Sequence, residues 1–235
     1  MAYLLRLAAY CHPPIVFMAK TTLTISSKNY SSWSLRGWLM VKMSGIPFEE
    51  VLVPANSPDA RAELLLLSPS ILVPCLRHKG ATVWDTLAIG EYLNEVAPKA
   101  GLLPSKLVHR AHCRAICGEM HSGFSALRSS LPMNIKARFK EFKVWSRAQL
   151  DIERITTIWR ECLETHEGPW LFGAQPTLAD AMYAPVATRF ATYGIALDAV
   201  SQGYCDRILA MPFMQEWAEA AHAEPDDIEE LEMEF

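Results

Sequence analysis

The sequence predicts a small α/β layer followed by an all-helical domain. Short extended and helical segments alternate between Thr21 and Val96, giving the order β-α-β-α-β-β-α. Ala97-Pro-Lys-Ala-Gly-Leu-Leu-Pro104 then interrupts the chain with proline and glycine, and every later segment is helical in period.

Thr21-Thr-Leu-Thr-Ile-Ser26 alternates polar and apolar residues like a strand. SWSLRGWLMVKMS, Ser32 to Ser44, reads as a helix, and Gly45 suits the left-handed position that ends one. Pro47 to Val53 is a second strand, and residues Asp59 to Leu67 a helix. Ile71 to Leu76 and Ala81 to Trp84 are short strands separated by a His-Lys-Gly turn, and a helix follows from Asp85 to Val96. Beyond the linker, long helices are expected over Ser105–Leu131 and Ile135–Glu164. Shorter ones follow over Thr177–Tyr193, Ser201–Ala210 and Pro212–Ala223. The partition is an extension (1–20), an α/β domain (21–97), a linker (98–104), a helical domain (105–223) and an acidic tail (224–235).

Composition narrows the function. Of 235 residues, 51% are hydrophobic and 20% charged, as in ordinary globular proteins, and no apolar run reaches the roughly 18 residues of a membrane span. The tail from Glu224 carries seven acids and no base, so without it the formal charge of −4 becomes +3. A near-neutral body argues against nucleic acid as a partner, and the tail reads as a solvated end. Six scattered cysteines without a CxxC fit a reducing cytoplasm. The first residues are read as an extension rather than a secretory leader, because Arg6 interrupts the apolar region and Met18-Ala-Lys-Thr-Thr starts cleanly before the first strand.

Three places could carry chemistry. Ser31, Ser32 and Ser34 stand where the first strand meets the first helix, whose N-terminus offers unpaired N–H groups and a positive dipole end. A hydroxyl there can cap the helix or donate to a thiolate or carboxylate. Val73-Pro74 opens a strand, and a proline there turns the neighbouring peptide groups outward whether it is cis or only marks an edge. Asp85-Thr86 opens a helix, where the acid can take an ammonium and the hydroxyl and N–H groups a carboxylate, or both simply cap.

Together these residues resemble the glutathione transferase superfamily, nearest to serine-type members of its zeta class, the maleylacetoacetate isomerases. The resemblance covers residues 21 to 223 and implies a thioredoxin-like first domain with a cis-proline, a helical second domain, glutathione as co-substrate, no metal, and a homodimer. Counting back from Gly45, Ser31-Ser-Trp-Ser-Leu-Arg36 matches the Ser-Ser-x-Ser-x-Arg pattern, so Ser31 falls on the thiol-activating serine, with Ser32 and Ser34 beside it. Val73 with Pro74 falls on the pair that meets the tripeptide backbone, and Asp85 with Thr86 on the γ-glutamyl site. The family's usual pair there is Gln or Glu followed by Ser. Trp33 replaces a cysteine-type position, and the arginine-rich pattern becomes Arg36-Gly-Trp. Thr177 and Asp180 match a structural capping box. The stretch Glu119 to Arg128 falls on the helix lining the electrophile pocket, which points to His121, Phe124, Ser125 and Arg128, with Ser125 and Ser129 at polar glutathione positions. Gly123 within that helix costs up to about 1 kcal/mol relative to alanine and suggests a close approach.

The expected chemistry is thiol activation. A free cysteinyl thiol has a pKa near 8.5, and lowering it by about two units takes roughly 2.7 kcal/mol. A serine hydroxyl and a helix N-terminus can supply that. The expected function is therefore conjugation or isomerisation of a small electrophile, against a non-enzymatic binding module of the same fold. A glutathione-dependent reductase ranks below both, for it would want cysteine where Ser31 stands. His109, Cys113, Cys117 and His121 recur every four residues, but His109 and His121 lie about 18 Å apart along a helix, too far to share a metal ion. Cys75 is read as core.

Overall fold

The structure, a computed structural model, describes residues 20–53, 72–140 and 142–225. The expected helix at 59–67, the extension before Lys20 and the tail beyond Pro225 lie outside these residues. A four-stranded sheet is built from β1 (Thr22–Ile25), β2 (Glu49–Leu52), β3 (Cys75–His78) and β4 (Ala81–Trp84), in the order β2-β1-β3-β4. β1 and β2 are parallel, while β3 is antiparallel to both β1 and β4. Helices α1 (Ser32–Ser44) and α2 (Thr86–Val96) pack on this layer and on each other.

α1 ends as its sequence demands. Gly45 adopts φ +72° and donates its N–H to the Lys42 carbonyl, a left-handed cap that costs glycine nothing. The helix is not an amphipathic surface helix, however. It buries Ser32 and the unbroken run Ser34–Val41, because the sheet lies on one side and the helical domain on the other. Gly37 is the point of closest approach: a Cβ there would stand 2.4 Å from Cγ of Pro74, whose bond to Val73 is cis.

The linker is a short 3₁₀ turn (Pro98–Ala100) followed by Leu102, which is buried and accepts a hydrogen bond from the Leu178 N–H at 2.7 Å. The helical domain then runs through α3 (Leu107–Ser122), α4 (Ser125–Ser130), α5 (Ser146–Thr165), α6 (Leu178–Thr192), α7 (Ala199–Leu209) and α8 (Pro212–His222). α6 is its axis, packing on α1, α3 and α7.

Two expected helices differ. The one foreseen over 105–131 breaks at Gly123 and Phe124. Gly123 is extended, a Cβ on it would meet the Glu119 carbonyl oxygen at 2.7 Å, and Phe124 turns left-handed at φ +58° with its ring buried. The close approach that Gly123 signals is thus to its own helix end, not to a ligand. The helix foreseen over 135–164 begins only at Ser146. Before it, long-range bonds hold the chain in an irregular path. Lys136 N–H donates to the Asn29 side chain (3.0 Å), Phe139 N–H to the Thr192 carbonyl (2.8 Å) and the Thr192 hydroxyl to the Asn134 carbonyl (2.7 Å). Tertiary bonds here outweigh helical periodicity.

Asp180 is buried at the first turn of α6 and completes a capping box with Thr177. One carboxylate oxygen accepts from the Thr177 N–H (2.7 Å) and hydroxyl (3.0 Å), the other from the Leu171 N–H (3.1 Å) and the Tyr204 hydroxyl (2.9 Å). Burial raises its carboxyl above the usual range, opposed by those donors. Asp180→Ala leaves buried donors on three segments unpaired, and urea denaturation is expected to show a loss on the order of 3–5 kcal/mol. Gly37→Ala drives a methyl into Pro74 and is expected to cost about 1–3 kcal/mol in the same assay.

Candidate active site

Strand register brings the candidate residues to one end of the sheet. Thr24 of β1 faces Cys75 of β3, and Cys75 faces Trp84 of β4. The segment leading to Ser31, the Val73-Pro74 pair and the Asp85-Thr86 pair therefore leave the sheet at a common edge. Two helices begin there, capped by Ser31 and Asp85.

Ser31 caps α1 and also offers its hydroxyl. Its Oγ accepts from the Ser34 N–H (3.3 Å) and donates to Ser34 Oγ (2.8 Å), which also accepts from the Ser26 N–H (3.1 Å). Ser31 is partly exposed, whereas Ser34 has no accessible surface and Ser32 almost none. Ser34 thus presents no surface of its own and reaches the site through its bond to Ser31. A hydroxyl carries one proton and two acceptor sites. The Ser31 proton that here goes to Ser34 turns outward to an anion when both hydroxyls rotate, because Ser34 can then donate back to Ser31.

Val73 precedes the first paired residue of β3, so its peptide groups lie beyond the ladder, while Pro74 is buried against α1. Asp85 holds φ +74°, a conformation costly to a residue with a Cβ and characteristic of functional sites. Its Oδ1 accepts from the Leu87 N–H (2.8 Å), and its Oδ2 lies 2.6 Å from Nε2 of His121. The acid from the sheet layer and the last turn of α3 thus meet directly. Thr86 is buried, and its hydroxyl has no hydrogen-bond partner among the described residues.

Beside this edge stands Trp33. Its ring lies 5.1 Å from that of His121, 4.6 Å from the Arg36 guanidinium and 4.9 Å from that of Arg128. Arg36 is buried and donates to the carbonyls of Met182 (2.8 Å) and Ser32 (3.3 Å) and to Met120 Sδ (3.3 Å). Burial, then the charges of Arg189 and Arg128, pull it well below the usual arginine range. Arg189, buried in α6 and bonded to the Leu131 and Pro185 carbonyls, is brought down to about 10 by burial and by Arg128. Arg128 donates to the Met120 and His121 carbonyls, and its buried Nε has no partner among the described residues. Burial lowers it, opposed by Asp151. The bonds of Arg36 and Arg189 run to carbonyls and a sulfur, so the cluster retains positive charge.

Of the residues placed in the electrophile pocket, His121 and Arg128 join the site. Phe124 does not: its backbone turn sends the ring into the core. Ser125 is exposed at the start of α4, its carbonyl taken by the Ser129 hydroxyl (2.9 Å). Trp33, Arg36 and Arg189 were given no role from sequence. The available signal was an arginine inside an otherwise apolar helix with no acid one turn away. Among the described residues no group of three or more His, Cys, Asp or Glu converges as metal ligands; Cys113 and Cys117 are core, and Cys75 is buried in β3. A crevice of about 530 Å³ lined by Asn94, Arg110, Phe172 and Gln175 shares no residue with this site.

Comparison with known proteins identifies both halves of the fold. The family model for the glutathione S-transferase N-terminal domain matches residues 30–96, and that for the C-terminal domain matches residues 116–220. A probable maleylacetoacetate isomerase of Caenorhabditis elegans is 29% identical over 163 residues, 68% of this chain and 75% of that protein. The maleylacetoacetate isomerase of Rattus norvegicus is 28% identical over 157 residues, 66% of this chain and 70% of its own. Among solved structures, a Burkholderia glutathione transferase homologue with bound glutathione superposes with a TM-score of 0.67 at 24% identity, covering 87% of this chain and 99% of its own. A bacterial zeta-class maleyl pyruvate isomerase gives 0.67 at 21%, covering 88% and 100%. With both halves of the fold matched, this chain belongs to the glutathione S-transferase family, and its co-substrate is glutathione.

Proposed function

We propose that the chain ionises the glutathione thiol at Ser31 and directs it at a small electrophile bearing a carboxylate. The observation that carries the reading is the Ser31 hydroxyl, partly exposed at the N-terminus of α1 and backed by Ser34 at 2.8 Å. Ser31 and the helix N-terminus stabilise the thiolate, whose proton passes to solvent. Val73 pairs with the tripeptide backbone. Asp85 takes the α-ammonium, and the start of α2 takes the adjoining carboxylate, which would give the Thr86 hydroxyl the acceptor it lacks.

The substrate class follows from the guanidinium cluster at Trp33. Arg128 has an unmet donor and faces repulsion from its own kind, so an anion there relieves a cost already present. A carboxylated alkene conjugated to a carbonyl fits. The sulfur adds to one alkene carbon, the electron pair moves to the carbonyl oxygen, the new single bond rotates, and expulsion of sulfur restores the double bond as its isomer. This is the class of reaction that the maleylacetoacetate isomerases among its relatives are named for.

We place the enzyme in the cytoplasm as a homodimer, with the boundary between its domains at residues 98–104. Among the described residues Cys113, Cys117, Cys162 and Cys205 are buried thiols, which suits a reducing compartment, and exposed Leu72, Trp84, Leu107 and Val108 offer apolar surface to a second subunit. Among the described residues no helix is long and apolar enough to cross a membrane.

Two experiments test the reading. Absorbance near 240 nm of bound glutathione, followed against pH, should show a thiol ionising well below its free value, and Ser31→Ala should raise that pKa by about 1–2 units. Failure of glutathione to bind would favour a non-enzymatic module instead. Arg128→Gln should lower kcat/KM about 10–100-fold for a carboxylated electrophile and little for a neutral one; equal losses would overturn the anionic assignment.

A further inference from the structure

The segment that carries Ser31 is held from outside its own domain. Ser27, Lys28 and Asn29 form a turn just before α1, and all three give a donor to a single carboxylate, that of Glu224, two residues beyond α8. Glu224 Oε2 accepts from the Ser27 hydroxyl (2.8 Å) and the Asn29 N–H (3.1 Å), and Oε1 accepts from the Lys28 N–H (2.6 Å). The chain end is itself fixed, because Lys136 Nζ donates to the Glu224 carbonyl (2.8 Å) and the Trp217 indole N–H to the Lys28 carbonyl (2.8 Å). Lys28 is the other charged group of the turn, paired with Glu50 and lying over the Trp38 and Trp217 rings. This first residue of the acidic tail is therefore no solvated end.

The link to chemistry is short. The Ser27 carbonyl accepts the Ser31 N–H at 3.0 Å, so the residue gripped by Glu224 also fixes the backbone of Ser31. Ser27 Oγ receives the Asn29 (3.2 Å) and Tyr30 (3.3 Å) N–H groups as well, closing the turn that delivers Ser31 to the helix N-terminus. We propose that Glu224 is a positioning residue: it sets the aim of the Ser31 hydroxyl, and through it the ionisation of the glutathione thiol. A displacement of about 1 Å in a group contacting the reacting atom costs on the order of a hundredfold in rate, so an anchor two bonds away has leverage. The proposal rests on the reading of Ser31 as the activating hydroxyl.

The test compares Glu224→Ala, Glu224→Gln, Ser31→Ala and the Ser31→Ala/Glu224→Ala double variant in the full chain. Bound-thiolate absorbance against pH, kcat and KM for glutathione, and thermal melting are read for each. Glu224→Ala should raise the thiol pKa by about half a unit or more and lower kcat roughly tenfold, with a smaller change in KM. The double variant should show no higher thiol pKa than Ser31→Ala alone, since the anchor acts only through that hydroxyl. Glu224→Gln, which keeps one acceptor oxygen, should fall between, and it carries the test if the alanine variant does not fold. A lowered melting temperature with unchanged thiol pKa, or additive shifts in the double variant, overturns the proposal. If Ser31→Ala shifts the pKa and neither Glu224 variant does, positioning alone fails. If Ser31→Ala shifts nothing, the reading of Ser31 fails and this one with it.

Discussion

A buried guanidinium with no carboxylate partner among the described residues sits where the two parts of the fold meet. Arg36 projects from α1 and donates to a carbonyl of α6, to the Met120 sulfur of α3, and back to Ser32. Taking a full charge out of water costs several kcal/mol unless dipoles surround it. Here carbonyl oxygens and the face of Trp33 do so, and only while α1, α3 and α6 keep their spacing. The seam is therefore not free to slide. Ser31 sits at the end of the helix that Arg36 pins, and His121 one residue beyond the methionine it touches. The same side chain thus sets the distance between a hydroxyl of the first domain and the aromatic and cationic wall of the second. Asp180 does the corresponding work farther along α6, tying its first turn to the preceding loop and to α7.

Charge is laid out in order along this seam. A carboxylate stands at Asp85, helix N-termini open at Ser31 and Thr86, and two guanidiniums, those of Arg36 and Arg128, lie against Trp33 with Arg189 behind them. On the proposed reading each would suit a different part of a zwitterionic tripeptide and an anionic reaction partner, and so orient them electrostatically before close contact forms. The contact of Asp85 with His121 completes the line by joining the negative end to the positive wall.

Much of this was legible in local sequence, where the cause is local. Gly45 marks a left-handed cap, Val73-Pro74 a cis bond at a strand start, and Thr177-Leu-Ala-Asp180 a capping box, because each motif acts within four residues. The serine cluster and the Asp-Thr pair were readable for the same reason. What was not readable depends on distant partners. Periodicity ran through residues 123–124 and 132–145 without showing that Phe124 turns into the core or that Asn29 and Thr192 capture the chain. The arginine cluster draws on positions 36, 128 and 189, whose meeting no spacing rule announces. Glu224 looked like the start of an acidic tail because its three donors lie about two hundred residues upstream.

The Asp85–His121 contact also bears on how such a protein can diversify. Ser31, Asp85 and Thr86 belong to the sheet layer, while His121 and Arg128 arrive from α3 and α4. Exchange of the helical segment between relatives would replace not only His121 and Arg128 but also the groups that seat Arg36 and hold the turn before Ser31. The two parts are thus constrained to change together: any new wall at α3 must still seat Arg36 and keep the turn that carries Ser31 in its grip.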